Sequence, residues 1–381
     1  MSDPFRGNRT AHINHISNRL SILWLLYACI RYAAVNSVAT FEGGLVKDGM
    51  FVFDCVVHTQ DFTDRQIAPG RTGRNVVAHR TNQAAFNKLM ASKGGPADKE
   101  DFYDPVAPAW ANAQLFERSD TDLAMVQTVP LFGPWKDSLG PARLCHELAA
   151  SNPSRLLFTG GVDPSWQGLD FALEEMERQV VEWGAVSFKF YGYQDRAHSW
   201  AADSRELAYP LYEKALELGI KLVQFHKGYP LGMHPVEAFK PNDLQMAAYD
   251  FPDLNFGIHH MGDPYVDETI SIAGRFPNIH LMLPLWFNQF FLQPYPMYHR
   301  LGQALLSVGN ERLSYGSEGF IWPDIQAYIN LWAKMEMPEE LQDRYGYPEL
   351  TRETKERVFG LNFANALGVD LEAKKRELGL S

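Results

Sequence analysis

Residues 186–226 read V-S-F-K-F-Y-G-Y-Q-D-R-A-H-S-W-A-A-D-S-R-E-L-A-Y-P-L-Y-E-K-A-L-E-L-G-I-K-L-V-Q-F-H. Val186–Tyr191 is a β-rich run, Ser204–Leu218 carries apolar residues at helical spacing, and Gly219 stands where a helix C-cap belongs. The apolar run Lys221–Phe225 follows and ends on His226. Strand, crossover helix and second strand form the unit that joins parallel strands.

The same alternation runs outward in both directions. Eight strand candidates appear: 50–57, 122–129, 156–162, 186–191, 221–225, 255–259, 280–285 and 313–316. Helical patterns at 169–183, 204–218, 267–275, 297–308 and 324–335 serve the later strands. In the first of these, Phe171, Leu173, Met176, Val180 and Val181 make the expected apolar face. Eight alternating units predict an α/β fold, a (β/α)8 TIM barrel, over residues 50–381. Residues 61–120, polar and rich in Gly, Pro and Asn, read as a long insertion after strand one that forms a lid or an interface.

Residues 1–49 form an N-terminal helical extension outside the barrel. Its apolar stretch Leu20–Ile30 spans eleven residues, well short of the roughly 20 a membrane helix needs. We read it as a helix that docks on the barrel or on a partner subunit, which predicts a homo- or hetero-oligomer and no membrane partner.

Composition narrows the chemistry. The 381 residues carry a formal net charge of −11 and no basic cluster, which argues against a nucleic-acid partner and for a small-molecule substrate. The three cysteines, Cys29, Cys55 and Cys145, lack metal-knuckle or disulfide-framework spacing. Reduced, buried thiols in a cytoplasmic protein are the expectation.

A parallel barrel delivers all its strand ends to one rim, so residues distant in the chain meet there. His58 ends strand one (F-D-C-V-V-H), His226 ends strand five, His259 and His260 end strand six (G-I-H-H-M-G), and Glu318 ends strand eight (Y-G-S-E-G). Imidazoles and a carboxylate converging on one rim suit zinc, iron or manganese. Lys189 near the end of strand four is a candidate to pair with a substrate carboxylate or to carry a bridging carboxylate. Trp286, Phe287 and Asn288 after strand seven are candidates to line the pocket, with a packed loop as the alternative. Asp163 in G-G-V-D-P reads as a turn residue or helix cap.

These motifs, in this order, resemble the amidohydrolase superfamily from about Met50 to Gly368, in the branch of 2-amino-3-carboxymuconate-semialdehyde decarboxylase and related metal-dependent hydrolases. That family shows D-x-H-x-H on strand one, a His after strand five, H-x-G on strand six, G-S-D on strand eight and a closing N-A-x-x-L-x-G-like helix. Here D-C-V-V-H (54–58), His226, H-M-G (260–262), G-S-E (316–318) and N-F-A-N-A-L-G (362–368) stand in those positions. The resemblance implies His58, His226 and Glu318 as ligands of a divalent metal, zinc first with iron or manganese as alternatives, and His260 as the catalytic acid/base. It implies a hydrolase or non-oxidative decarboxylase of a small carboxylated substrate.

One imidazole is missing. In one register Val56 replaces the first strand-one His; in the other, Gln60 replaces the second. His259 is a candidate to fill the gap. Two further readings remain open: a subunit of a metal-dependent hydroxylase paired with a related barrel, as in 2-aminoisobutyrate hydroxylase, and a catalytically reduced barrel that scaffolds an active partner.

Overall fold

A computed structural model describes residues 49–68, 74–92, 104–320 and 324–380. The N-terminal extension with Leu20–Ile30 lies outside the described residues, and with it the expectation of an oligomerisation helix.

Eight strands run parallel in the order β1 to β8: β1 Phe53–Val57, β2 Leu123–Gln127, β3 Leu156–Gly160, β4 Ala185–Phe190, β5 Leu222–Phe225, β6 Asn255–His259, β7 Ile279–Met282 and β8 Leu313–Ser314. The expected barrel is therefore present, with shorter strands than the apolar runs suggested. The rim loops that follow are themselves buried and apolar, so hydrophobicity continues past the last ladder hydrogen bond; Leu283 beyond β7 is fully buried. Pro284 has no N–H to give a ladder and falls outside β7. Asp122 stays outside β2 because its carboxylate accepts from the Val52 amide at 2.9 Å.

The seam between β8 and β1 nearly closes the sheet. Cys55 N donates to Tyr315 O at 3.1 Å, His58 N donates to Gly319 O, and Val57 bridges Gly319 in parallel. The pairing of β1 with β2 shifts register between Asp54 and Val57, a bulge that changes which residues face inward. Val56 consequently joins Phe53, Cys55, Leu123, Met125, Leu222 and Met282 in a cluster sealed by Phe363 and Leu367 of the closing helix Asn362–Leu367. Phe53 and Phe363 meet edge to face at 4.9 Å. This plug is one of two large cores; the other lies between the strands and the surrounding helices.

Those helices include α1 Arg74–Ser92, α2 Pro108–Phe116, α3 Ala142–Ala150, α4 Leu169–Val181, α5 Ala208–Glu217, α6 Leu244–Asp250, α7 Val266–Ala273, α8 Pro294–Val308 and α9 Ile325–Lys334. Three details differ from the sequence reading. The insertion after β1 is not wholly loop: α1 is a 19-residue helix and α2 begins on a proline, which suits a first helical turn. The helix between β2 and β3, α3, had no counterpart in that reading. The buried face of α4 is Ala172, Met176 and Gln179, while Phe171 and Val181 are exposed. Gln179 wins its inward position by hydrogen-bonding Gly161 N at 2.9 Å and Gly161 O at 3.3 Å.

The loop after β5 passes so close to the loop after β6 that only glycine fits at one position. Gly228 has φ +72°, and a Cβ there would lie 2.2 Å from Asp263 O and 2.5 Å from Gly262 C. Gly228→Ala is expected to cost more than the ~1–3 kcal/mol usual for overpacking, because backbone strain adds to the clash. Urea unfolding checks this, and a stability within 0.5 kcal/mol of wild type, roughly the surface-substitution range, would contradict it.

Candidate active site

The rim at the C-terminal ends of the strands gathers four of the residues singled out in the sequence. His58 Nε2 lies 3.4 Å from Glu318 Oε1, His260 Nε2 lies 3.1 Å from His226 Nδ1, and His260 Nδ1 lies 3.9 Å from Glu318 Oε2. All four residues are at most 5% exposed.

The outer nitrogen of each imidazole is bound to a backbone carbonyl. His58 Nδ1 donates to Gln127 O at 2.8 Å, His226 Nε2 to Tyr229 O at 3.1 Å, and His260 Nδ1 to Pro284 O at 2.9 Å. A carbonyl oxygen can only accept, so each outer nitrogen carries the proton. In its neutral form each ring therefore turns a lone pair inward: His58 Nε2 toward the Glu318 carboxylate, and His226 Nδ1 and His260 Nε2 toward each other. Lone pairs in such contacts repel unless positive charge lies between them.

His226 and His260 do not supply that charge themselves at neutral pH. Burial, reinforced by the neighbouring His260, pushes His226 well below the usual imidazole range; burial brings His260 down to about 4, against the opposing pull of Glu318. Burial alone would raise Glu318, but His260 and His58 beside it hold its carboxylate near 2. Glu318 Oε2 has no hydrogen-bond partner. An anionic oxygen and three inward lone pairs are the donor chemistry of a divalent cation, and outer nitrogens fixed by carbonyls are how metal-binding histidines are held. The donors stand as two pairs: among the described residues no group of three His, Cys, Asp or Glu converges closely enough to hold an ion as the side chains stand.

Strained backbone marks the same rim. Tyr229, His260, Met261, Leu285 and Glu318 all have φ between 40° and 62°, in loops following β5 to β8. Each such residue costs on the order of 1–3 kcal/mol, and such strain concentrates at functional sites.

Val56 faces the plug with the apolar residues and donates nothing. Gln60 Oε1 is buried without a partner. His259 belongs to a network inside the barrel. Ser187 Oγ donates to Leu222 O at 2.8 Å and so must accept from Gln224 Nε2 at 2.9 Å. That turns Gln224 Oε1 toward Gln127 Nε2 and His259 Nε2, each at 2.9 Å. His259 is thus protonated on Nε2, and its buried Nδ1 is unpartnered.

Lys189 is fully buried within β4, and its Nζ makes neither a hydrogen bond nor a salt bridge among the described residues. Burial lowers it to about 8, with Glu318 and Cys55 pulling the other way. Trp286 and Asn288 are also fully buried. Trp286 packs in the main core against Phe290, as the packed-loop alternative had it, while both amide atoms of Asn288 lack partners. Asp163 is the expected cap: it accepts from the Ser165 and Trp166 amides, and also from Gln194 and Trp200.

Sequence reading missed Gln127, Gln224 and Asp54 as site-building residues. Each is a polar side chain in an otherwise apolar strand, a signal that a burial argument could have used.

A barrel with imidazoles and a carboxylate gathered at its strand-end mouth defines a class of protein, and the chain falls within it. Residues 108–369 match the family described as Amidohydrolase, more than half of the chain, and the protein belongs to that family. An uncharacterised TIM-barrel protein from Bordetella bronchiseptica is similar with TM-score 0.62 at 16% identity, over 84% of this chain and 99% of that one. A 5-carboxyvanillate decarboxylase from Novosphingobium aromaticivorans, solved with manganese and 4-hydroxy-3-methoxy-5-nitrobenzoic acid, gives 0.55 at 12% identity over 87% and 100%. A dihydroxybenzoic acid decarboxylase from Polaromonas sp. JS666, with bound manganese and 2-nitroresorcinol, gives 0.54 at 15% over 84% and 97%. No curated protein matches the sequence. At these identities the likeness is one of fold. Among the described residues, no helix is long and apolar enough to cross a membrane.

Acid lability follows from the buried imidazoles. His79 is brought by burial to about 3, and His260 and His280 to about 4, from an unfolded value of 6.5. Between those limits the unfolded chain binds more protons, so stability falls as pH drops from about 6.5 toward 4. Asp54, raised by burial to about 7, offsets part of this loss. Urea midpoints of the metal-free protein are expected to fall steeply from pH 7 to 5, with each imidazole contributing on the order of 2 kcal/mol. His280→Gln should flatten the profile; an equal slope in that variant would contradict the assignment.

Proposed function

We propose that this protein is a metal-dependent non-oxidative decarboxylase or hydrolase of a small carboxylated organic substrate, with decarboxylation favoured. The observation that carries the reading is the set of three carbonyl-locked imidazoles whose lone pairs turn inward beside the ionised, half-unpartnered Glu318. His58, His226 and Glu318 are the residues that would hold the ion. The manganese bound in structurally similar decarboxylases favours manganese over the zinc expected from sequence, with iron also compatible with the donors. When bound, a divalent ion supplies a Lewis acid that polarises a substrate oxygen or acidifies a bound water.

The remaining chemistry belongs to the chain. His260 moves the proton at Nε2, its Nδ1 being held by Pro284 O. Lys189, buried and without a hydrogen-bond partner, pairs with a substrate carboxylate in surroundings where water screens the charge poorly. The unpaired amide of Asn288 offers one donor and one acceptor to a substrate hydroxyl or carbonyl. The free, buried thiols Cys55 and Cys145 suit a reducing compartment such as the cytoplasm.

Metal analysis of the purified protein, with manganese titration, is the first test. One ion per chain and a stabilisation of about 2.7 kcal/mol at a hundredfold excess over Kd are expected. Both should be lost in His226→Ala and Glu318→Ala, and stoichiometric binding that survives these changes would sink the ligand assignment. Release of CO2 from 2,6-dihydroxybenzoate and 5-carboxyvanillate probes the reaction. With whichever is turned over, His260→Ala is expected to lower turnover about 10²–10⁴-fold while leaving manganese binding within a few fold.

A second reading has one observation in its favour. Val56, in the position of the missing imidazole, lies in the apolar plug, as expected of a barrel that has lost its metal and serves as a scaffold. Substoichiometric metal and no turnover in the intact protein would select it.

A further inference from the structure

Asp54 is fully buried on β1 and forms no ion pair among the described residues. Its Oδ1 accepts two backbone amides, Val56 N at 3.1 Å on its own strand and Ser317 N at 2.9 Å across the seam. Ser317 directly precedes Glu318, whose φ of +59° is one that residues other than glycine rarely hold. The turn is tied again on its far side, where Ser317 Oγ accepts from Gly319 N at 3.0 Å and His58 N donates to Gly319 O. Glu318 is therefore suspended between two anchors on β1, Asp54 below and the His58 backbone above. The irregularity of β1 lies between Asp54 and Val57, and His58 directly after it has its Nε2 3.4 Å from Glu318 Oε1.

We propose that Asp54 is a positioning residue: its Oδ1 holds the Ser317 amide so that Glu318 stays in a left-handed conformation with its carboxylate against His58. The aspartate at the start of the strand-one motif acts here through backbone hydrogen bonds to its Oδ1. A hydrogen-bond acceptor of this length at this place is what the site needs, so charge is secondary. The consequence for metal binding rests on the function proposed above; the consequence for the position of Glu318 does not.

The test compares Asp54→Asn, Asp54→Ala and Asp54→Glu with wild type by crystallography of the metal-free proteins and by manganese affinity from chelator competition. Asparagine keeps an Oδ1 that can accept both amides, so the 3.4 Å contact between His58 and Glu318 should persist and affinity should stay within about threefold. Alanine removes the anchor and glutamate displaces it by one methylene. In both, Glu318 should leave its left-handed conformation and affinity should fall about 10–100-fold, the usual effect of losing a group that orients a ligand. If Asp54→Ala does not fold, Asp54→Glu carries the same test with charge retained. An unmoved Glu318 in Asp54→Glu, or Asp54→Asn as impaired as Asp54→Glu, would overturn the proposal. If wild type binds no manganese, the metal reading fails while the crystallographic comparison still decides the role of Asp54.

Discussion

The seam where the first and last strands meet is the constraint on which the site depends. A barrel of parallel strands must bring β8 back beside β1, and with only Leu313 and Ser314 in ladder pairing, side chains and turn backbone complete the closure. Asp54 Oδ1 accepts from the Ser317 amide, and the His58 amide donates to the Gly319 carbonyl. Closing the fold and bringing Glu318 to His58 are thus one event.

Around that seam the protein maintains an electrostatic imbalance. Three backbone carbonyls fix the protons on the outside of three rings, and burial keeps further protons off His226 and His260. Glu318 remains ionised beside them, and Lys189 is a cation without a hydrogen-bonding partner. A core built only for stability would pair these groups or replace them with apolar ones, because unpaired buried polar groups are expensive. Their cost is tolerable because the plug beneath and the core between strands and helices are extensively apolar. The strained residues from Tyr229 to Glu318 lie in the loops around this polar mouth. Chemistry and strain are confined to one end of the barrel, and stability is supplied by the rest.

Much of this was legible in the amino-acid order. Alternating β-rich runs and helical stripes determined a parallel barrel, because strand and helix periodicities are local properties of the chain. Given a parallel barrel, polar residues at strand ends had to share a mouth, which named His58, His226, His260 and Glu318 before any coordinates. What only the tertiary structure decided involves contacts between distant segments. Val56 lies in the plug beside the irregularity in β1, a packing that no local pattern assigned. The face of α4 was set by Gln179 finding Gly161 across the chain, which no hydropathy pattern encodes. The ring tautomers, the unpaired Lys189 and the anchoring by Asp54 likewise depend on which carbonyls and amides come within hydrogen-bond reach. Periodicity fixes direction along a chain, whereas hydrogen-bond partners are fixed by distance in space.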